Sequence, residues 1–302
     1  MLAKASGFST FVLLVLIGLF LLIKAWPALK YAGFSFFTRT EWTFNPVTGG
    51  GIFGIAAILY WTVVIALIAV VIAVPVAVAA ALFISEYAPR RIKGTLTSLV
   101  DLLAAVPSLI YGMWGFFFLQ PRLFGVSGFL AHHFGFIPIF HSNDDLFGSS
   151  AFVAGIVVSL MVIPITTAIS REVFSQAPPG EKEAALALGG TRWGMVRTVT
   201  LPFGKGGVIG GSMLGLGRAL GETIAVAIII SPTFEIHPSI LDRGANSVAA
   251  RIALEFGDAA SSPLHLSALL AAGLVLFLLT LVVNSIAAFI VARSRSGSGV
   301  DI

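Results

Sequence analysis

Apolar residues run along this chain in long stretches, and nearly all of the charge sits in the short segments between them. Residues 5–23, 42–85, 102–121, 146–170 and 259–292 contain no Asp, Glu, Lys or Arg, and 206–234 contains only Arg218 and Glu222. A bilayer core about 30 Å thick needs about 20 apolar residues per helix. The charge-free gaps therefore predict six transmembrane helices, at about 7–29, 53–84, 96–119, 151–171, 206–231 and 264–292. Pro75 falls inside the second and Pro107 inside the third, where each removes a backbone hydrogen bond and is expected to kink its helix. Residues 30–52, 120–150 and 232–263 read as loops on one side of the membrane.

Composition excludes the soluble alternative. Of 302 residues 57% are hydrophobic before the 32 glycines are counted, and only 11% are charged, against about 25% in an average globular chain. Mean hydropathy is +1.00 and the pI is near 9.6. There is no cysteine, hence no disulfide, thiol chemistry or thiolate metal site. The basic balance records topology rather than a nucleic-acid patch. Lys4, Arg90, Arg91, Lys93, Arg171, Lys182, Arg192, Arg197, Lys205, Arg293 and Arg295 fall on one side, eleven in all, against six on the other: Lys24, Lys30, Arg39, Arg122, Arg243 and Arg251. Positive residues are retained in the cytoplasm, so both termini are expected there. Glu41, Asp144, Asp145, Glu235, Asp242, Glu255 and Asp258 fall outside. The first apolar run exceeds a signal-peptide core and reads as a retained anchor. His132, His133 and His141 are read as loop or interfacial histidines, because adjacent histidines on a helix do not face one site and no carboxylate cluster completes a metal set.

The loop 172–205 is built differently from the others. Pro178, Pro179 and Gly180 end one helix before another runs over 181–188, which Gly189 and Gly190 stop. Its Ala, Leu and Glu residues are good helix formers, and its acids lie in the first turn, where the helix dipole favours them. Ala184, Ala185, Leu186 and Leu188, with Trp193, Met195 and Val196 beyond, leave more apolar surface than a solvated connector needs; either the chain's own bundle or a partner covers it.

In the fifth span Gly207, Gly211 and Gly215 recur at i+4, as do Gly217 and Gly221, the spacing of close helix packing. The string GLGRALG is GxGxxxG and follows no strand, so it is no dinucleotide fingerprint; nor is there a GxxxxGK[ST] loop, since Gly206 follows Lys205. Any ATPase must be a separate chain. Arg218 and Glu222 lie near mid-membrane, where a charged side chain costs about 2.5–3.5 kcal/mol on insertion scales. At i and i+4 they can pair with each other. Alternatively the guanidinium is held in a water-filled cavity, where its planar donors suit the oxygens of a tetrahedral anion and Glu222 orients or screens it. The pathway reading is taken, because intramembrane ionisable residues mark pathways by default. Asp101, within reach of water, a backbone donor or Arg218, is read as a structural intramembrane charge. Ser108, after Pro107, offers its hydroxyl to substrate or bonds back to its own helix.

Two motifs carry a family resemblance. Glu183-Ala184-Ala185, three residues, Gly189, nine residues, Val199, one residue and Leu201-Pro202 resemble the EAA loop of ABC importer permeases, with Val199 where that pattern has Ile. The runs 215–223, ending in Gly221-Glu222-Thr223, and 105–112, containing Pro107-Ser108, are similar to the phosphate-specific permeases of the PstC type; the likeness covers nearly all of the chain from about residue 53. The resemblance implies an all-α, six-helix type I ABC importer permease, with an N-terminal helix and outward loop at 1–52, a core at 53–292 and a tail at 293–302. It further implies that Glu181, Glu183, Ala184, Ala185 and Gly189 form a coupling helix seated on an ATPase, and that Arg218 and Glu222, with Ser108 and Thr223 beside them, serve phosphate passage. The implied partners are a PstA-like permease forming a heterodimer, a PstB-like ATPase dimer that uses ATP and Mg, and a PstS-like phosphate-binding protein. This chain itself is expected to bind no cofactor and to catalyse no reaction. The implied site is a bacterial cytoplasmic membrane. A permease for another oxyanion, sulfate or molybdate, stays open, because an Arg-containing cavity does not choose among anions. An ion-coupled secondary transporter would work without an ATPase, and a membrane scaffold leaves Arg218 and Glu222 without a purpose.

Overall fold

A computed structural model describes residues 2–142 and 146–295. Asp144 and Asp145, and residues 296–302 of the expected tail, lie outside the described residues. The chain begins with α1 (Leu2–Ala32), a two-stranded hairpin of β1 (Trp42–Asn45) and β2 (Gly50–Phe53), and α2 (Ala56–Leu82), which runs on through a π-helical turn, Phe83–Tyr87. Next come α3 (Arg90–Ala105), α4 (Ser108–Trp114) and, after a second π turn at Gly115–Leu119, α5 (Gln120–Phe134). Then follow α6 (Ala151–Ser175), α7 (Pro179–Ala187), a third π turn at Val196–Thr200, α8 (Leu201–Leu220), α9 (Ile224–Ile229), α10 (Val248–Ala259) and α11 (Pro263–Arg295).

Among the described residues four helices are long and apolar enough to cross a membrane by themselves: α1, α2 with its π turn, α6 and α11. The third predicted span is corrected: it is two helices meeting at 90°, one of 90–105 and one of 108–134. Pro107 has no N–H to give and pushes the preceding Val106 into extended backbone, with ψ 129°, so the helix stops rather than kinks. The fifth predicted span is also shorter than expected. It breaks after Leu220, because Gly221 leaves helical geometry, with ψ 3°, before α9 starts. Pro75, by contrast, stays inside a continuous α2. Two of the expected loops contain helices, α5 and α10, and a third contains the hairpin.

Small residues set how closely the helices lie. Lipid tails are as apolar as Leu, so helix association depends on close packing rather than on expulsion from water. On α2 Ala66, Ala69, Ala73 and Ala77 are fully buried at a three-to-four residue spacing, a flat strip against α6. In return Gly155 of α6 approaches so near that a Cβ there would stand 2.4 Å from Ile68 Cγ2. Helix α8 lies across α6 and α11, and α1 lies along α11. Phe11, Leu13 and Ile17 of α1 stay exposed, as lipid-facing positions should.

At the hairpin end, polar groups hold three elements together. Glu255 of α10 accepts from Trp42 Nε1 at 2.9 Å, pairs with Arg251, and lies 3.2 Å from His265 Nε2 of α11. The His265 ring stacks on Phe44 at 4.5 Å between centroids. Burial lowers the Arg251 pKa, and the adjacent Glu255 carboxylate partly opposes that shift.

Candidate functional site

The two helix breaks meet, and a cavity opens beside them. Gly112 of α4 lies so close to α9 that a Cβ would be 2.7 Å from Ala225 Cα; at Gly115 it would be 2.6 Å from Val157 Cγ2 of α6. Tyr111 Oη donates to Leu103 O at 3.0 Å across the Pro107 break, beside Val106 N at 3.3 Å, supplying a bond that Pro107, without an N–H, cannot give. On the other side α8 is pressed onto α6 by Gly207, Gly211 and Gly215, where an added Cβ would be 2.3 Å from Val173 Cγ2, 3.2 Å from Ile169 Cβ and 2.5 Å from Val162 Cγ1. Those three glycines are packing residues. Gly217 and Gly221 instead line the cavity, about 440 Å³ in volume, together with Ser108, Arg218, Glu222, Thr223 and Ile224. All four side chains expected along the pathway are thus brought to one space, from two helix breaks about a hundred residues apart in sequence.

The pairing open to two charges at i and i+4 is absent among the described residues, and the reason is the break at Gly221. Glu222 no longer continues the α8 helix; it is 7% exposed, and its Oε1 accepts from Ala225 N at 3.3 Å, capping the first turn of α9. Arg218 stays in the last turn of α8, where a cation complements the helix dipole. Its Nε is buried and makes no hydrogen bond among the described residues. An unsatisfied buried donor costs about 1–3 kcal/mol, and more when charged, so this guanidinium is set to favour an acceptor entering the cavity. Thr223 Oγ1 donates to Gly221 O at 3.0 Å. The Ser108 hydroxyl does not bond back to its own helix, which leaves it available at the wall of the cavity. Tyr111 was not singled out by the sequence, although it follows Ser108 in the motif that was.

Asp101 does not reach Arg218. Its carboxylate lies 3.8 Å from Arg171 Nη2 at the end of α6 and is about half exposed, so the contact is a loose surface-type pair. Of the three histidines, His141 lies outside the helices. His132 and His133 lie on α5 rather than in a loop, and both line one open cavity of about 650 Å³ with His141.

In the loop 172–205 the helix α7 forms where expected and buries none of its residues. Glu181, Glu183 and Ala184 are exposed; Ala185 is half-buried against a cluster of Ala81, Leu82, Phe174, Met195 and Val196. Gly189 ends the helix at φ +82°, and its N–H returns to Leu186 O at 3.0 Å. Beyond it Leu188 is 90% exposed and Trp193 57%. The two readings of this surface divide it between them: the Met195 side folds back on the bundle and the Leu188 side stays uncovered.

Comparison with known proteins follows the same lines. Residues 73–296 match a family model described as a binding-protein-dependent transport system inner membrane component. A protein of Mycobacterium tuberculosis named phosphate transport system permease protein PstC 2 is 42% identical over 297 residues, spanning 98% of this chain and 91% of its own. A phosphate transport system permease protein PstC of Xylella fastidiosa is 43% identical over 275 residues, 90% of this chain and 83% of its own. Among solved structures, an inward-facing conformation of the MetNI methionine ABC transporter aligns with a TM-score of 0.53 over 80% of this chain and 94% of that one; at 18% identity it speaks for the fold alone.

Proposed function

The chain belongs to the family of binding-protein-dependent transport system inner membrane components, and from that membership we propose that it is the permease subunit of an ATP-driven importer of inorganic phosphate. The observation that carries the chemistry is Arg218, a guanidinium with a buried, unpartnered Nε at the wall of a cavity between two broken helices. Its planar donors match two oxygens of a tetrahedral oxyanion, which a single ammonium would not. The Ser108 hydroxyl adds a neutral donor, and Glu222, held by Ala225 N, keeps carboxylate charge near Arg218 without pairing with it. The choice of phosphate among oxyanions is supported by the names of the relatives.

In this reading the chain forms half of the translocation path and a related permease the other half. A dimer of ATPase subunits, using ATP and Mg, seats α7 and its exposed Leu188 side; a phosphate-capturing protein delivers the anion at the hairpin end. The chain is a multi-pass protein of a bacterial cytoplasmic membrane, with both termini on the ATPase side. Closure of the ATPases moves α7 and rocks the broken helices so that the Arg218 cavity opens alternately to the two sides.

Reconstitution of the assembled complex in vesicles tests the reading. Phosphate is expected to accumulate only with ATP and the binding protein, and a large excess of sulfate or molybdate should not compete. Competition by sulfate would widen the substrate to oxyanions in general, and uptake driven by an ion gradient without the ATPase would overturn the reading. A second expectation concerns Gly189. Nothing lies within 4 Å of a Cβ added there, so Gly189→Val acts through backbone strain alone, about 1–2 kcal/mol for a residue with a side chain in left-handed geometry. The fraction of ATPase that co-purifies should fall by about tenfold; unchanged co-purification would separate α7 from ATPase docking.

A further inference from the structure

We propose that the ion pair between Lys182 and Glu86 is the link through which movement of α7 is passed into the membrane bundle, making Lys182 a positioning residue for transport that touches no substrate. The inference rests on the reading above of an ATP-driven permease. Because α7 buries no residue, it has few firm attachments through which to move anything. The firmest is Lys182 Nζ to Glu86 Oε1 at 2.7 Å, across 96 residues of sequence, with the two side chains 18% and 8% exposed. The same ammonium lies 3.4 Å from Phe174 O at the end of α6, and Thr200 Oγ1 donates to Glu86 Oε1 at 3.4 Å. Glu86 sits in the π turn that ends α2 and Thr200 in the π turn that leads into α8. Such turns carry i→i+5 bonds and are frequent at functional sites.

One charge pair therefore joins α7 to the near ends of three spans. The last of them, α8, runs unbroken from Leu201 to Leu220 and carries Arg218 at its far end. An exposed pair would be screened and compliant. This one is largely shielded, and separating it would leave an uncompensated charge in a poorly solvated place. When α7 is displaced, the ends of α2, α6 and α8 are expected to follow rather than let the pair part.

The chain has no cysteine, which permits a test on one assembled protein. Lys182→Cys is prepared in the full complex, with its partner permease, ATPase dimer and binding protein, and reconstituted in vesicles. It is then treated with either a cationic aminoethyl methanethiosulfonate or a neutral methyl one; the wild-type complex treated alike controls for partner cysteines. The readout is phosphate imported per ATP hydrolysed. The neutral adduct should hydrolyse ATP while importing about tenfold less phosphate per ATP, and the cationic adduct should recover most of the ratio. Equal ratios for the two adducts, or full coupling in untreated Lys182→Cys, would overturn the proposal. Should that variant fail to accumulate, the reciprocal Lys182→Glu with Glu86→Lys decides: restored accumulation and coupling support the link, and an assembled complex that remains uncoupled rejects it. A wild-type complex that imports no phosphate would instead defeat the functional reading itself.

Discussion

Phosphate uptake falls by about 100-fold in cells carrying Arg218→Gln, with the protein still present in the membrane at its normal level. Glutamine keeps one amide donor, at the level of Nε and two bonds short of the Nη atoms, so what is lost is the charge, the planar fork and its reach. A hydrogen bond to a charged group contributes about 1.5–3 kcal/mol, and each 1.4 kcal/mol is about tenfold in an equilibrium. With the Nε of Arg218 buried and unpartnered, nothing else in the protein replaces the lost contact. Arg218→Lys retains the charge but not the fork, and should lose about tenfold, since a point charge meets one anion oxygen where the guanidinium meets two. Radiolabelled phosphate uptake, normalised to membrane-inserted protein, measures both. Normal uptake by Arg218→Gln would remove this cavity from the pathway.

The second large effect is on assembly. Gly215→Val should markedly lower the thermal stability of the detergent-solubilised protein and its level in the membrane. A Cβ at that position would lie 2.5 Å from Val162 Cγ1 and 3.0 Å from Thr166 Oγ1, and both neighbours are β-branched, with little rotamer freedom in a helix. Helices α6 and α8 must then separate, also weakening the bond from Thr166 Oγ1 to Gly211 O. Overpacking of this kind costs about 1–3 kcal/mol, occasionally more. Gly210→Ala, on the same helix, is the internal control. Its Cβ meets only Val291 Cγ2 at 3.8 Å, so the better helix propensity of Ala should stabilise by about 0.5–1 kcal/mol. Opposite signs for two glycines five residues apart would show that contact geometry decides the outcome; equal effects would refute the packing account.

How well each part could be read from the sequence follows from what makes a residue conspicuous. Arg218 and Glu222 stood out because charges are costly in an apolar run, and the structure places both at one cavity with Ser108 and Thr223. That the two charges do not pair was hidden, since the i,i+4 argument assumes a continuous helix and Gly221 ends it. Pro107 marked an irregularity, yet a kink and a 90° break begin from the same missing N–H. For Asp101 the sequence left water, a backbone donor and Arg218 open as partners, and the structure sets it beside Arg171, which none of these named. Lys182 counted only among the positive residues of one side, and Glu86 carried no signal of its own. Their pairing depends on a contact across 96 residues, for which no local signal exists.

By itself, then, the sequence determined that this chain lives in a bilayer, where its apolar segments lie, that α7 forms between Pro178 and Gly189, and which two charges need an explanation. Those are consequences of solvation cost and local backbone chemistry, both written in the order of residues. Tertiary structure alone decided that the Pro107 and Gly221 breaks meet, that Arg218 Nε is left without a hydrogen-bond partner among the described residues, and that Lys182 and Thr200 converge on Glu86. Each of those depends on how closely α6 and α8 approach, and that distance is set by which glycines face which side chains once the helices have packed.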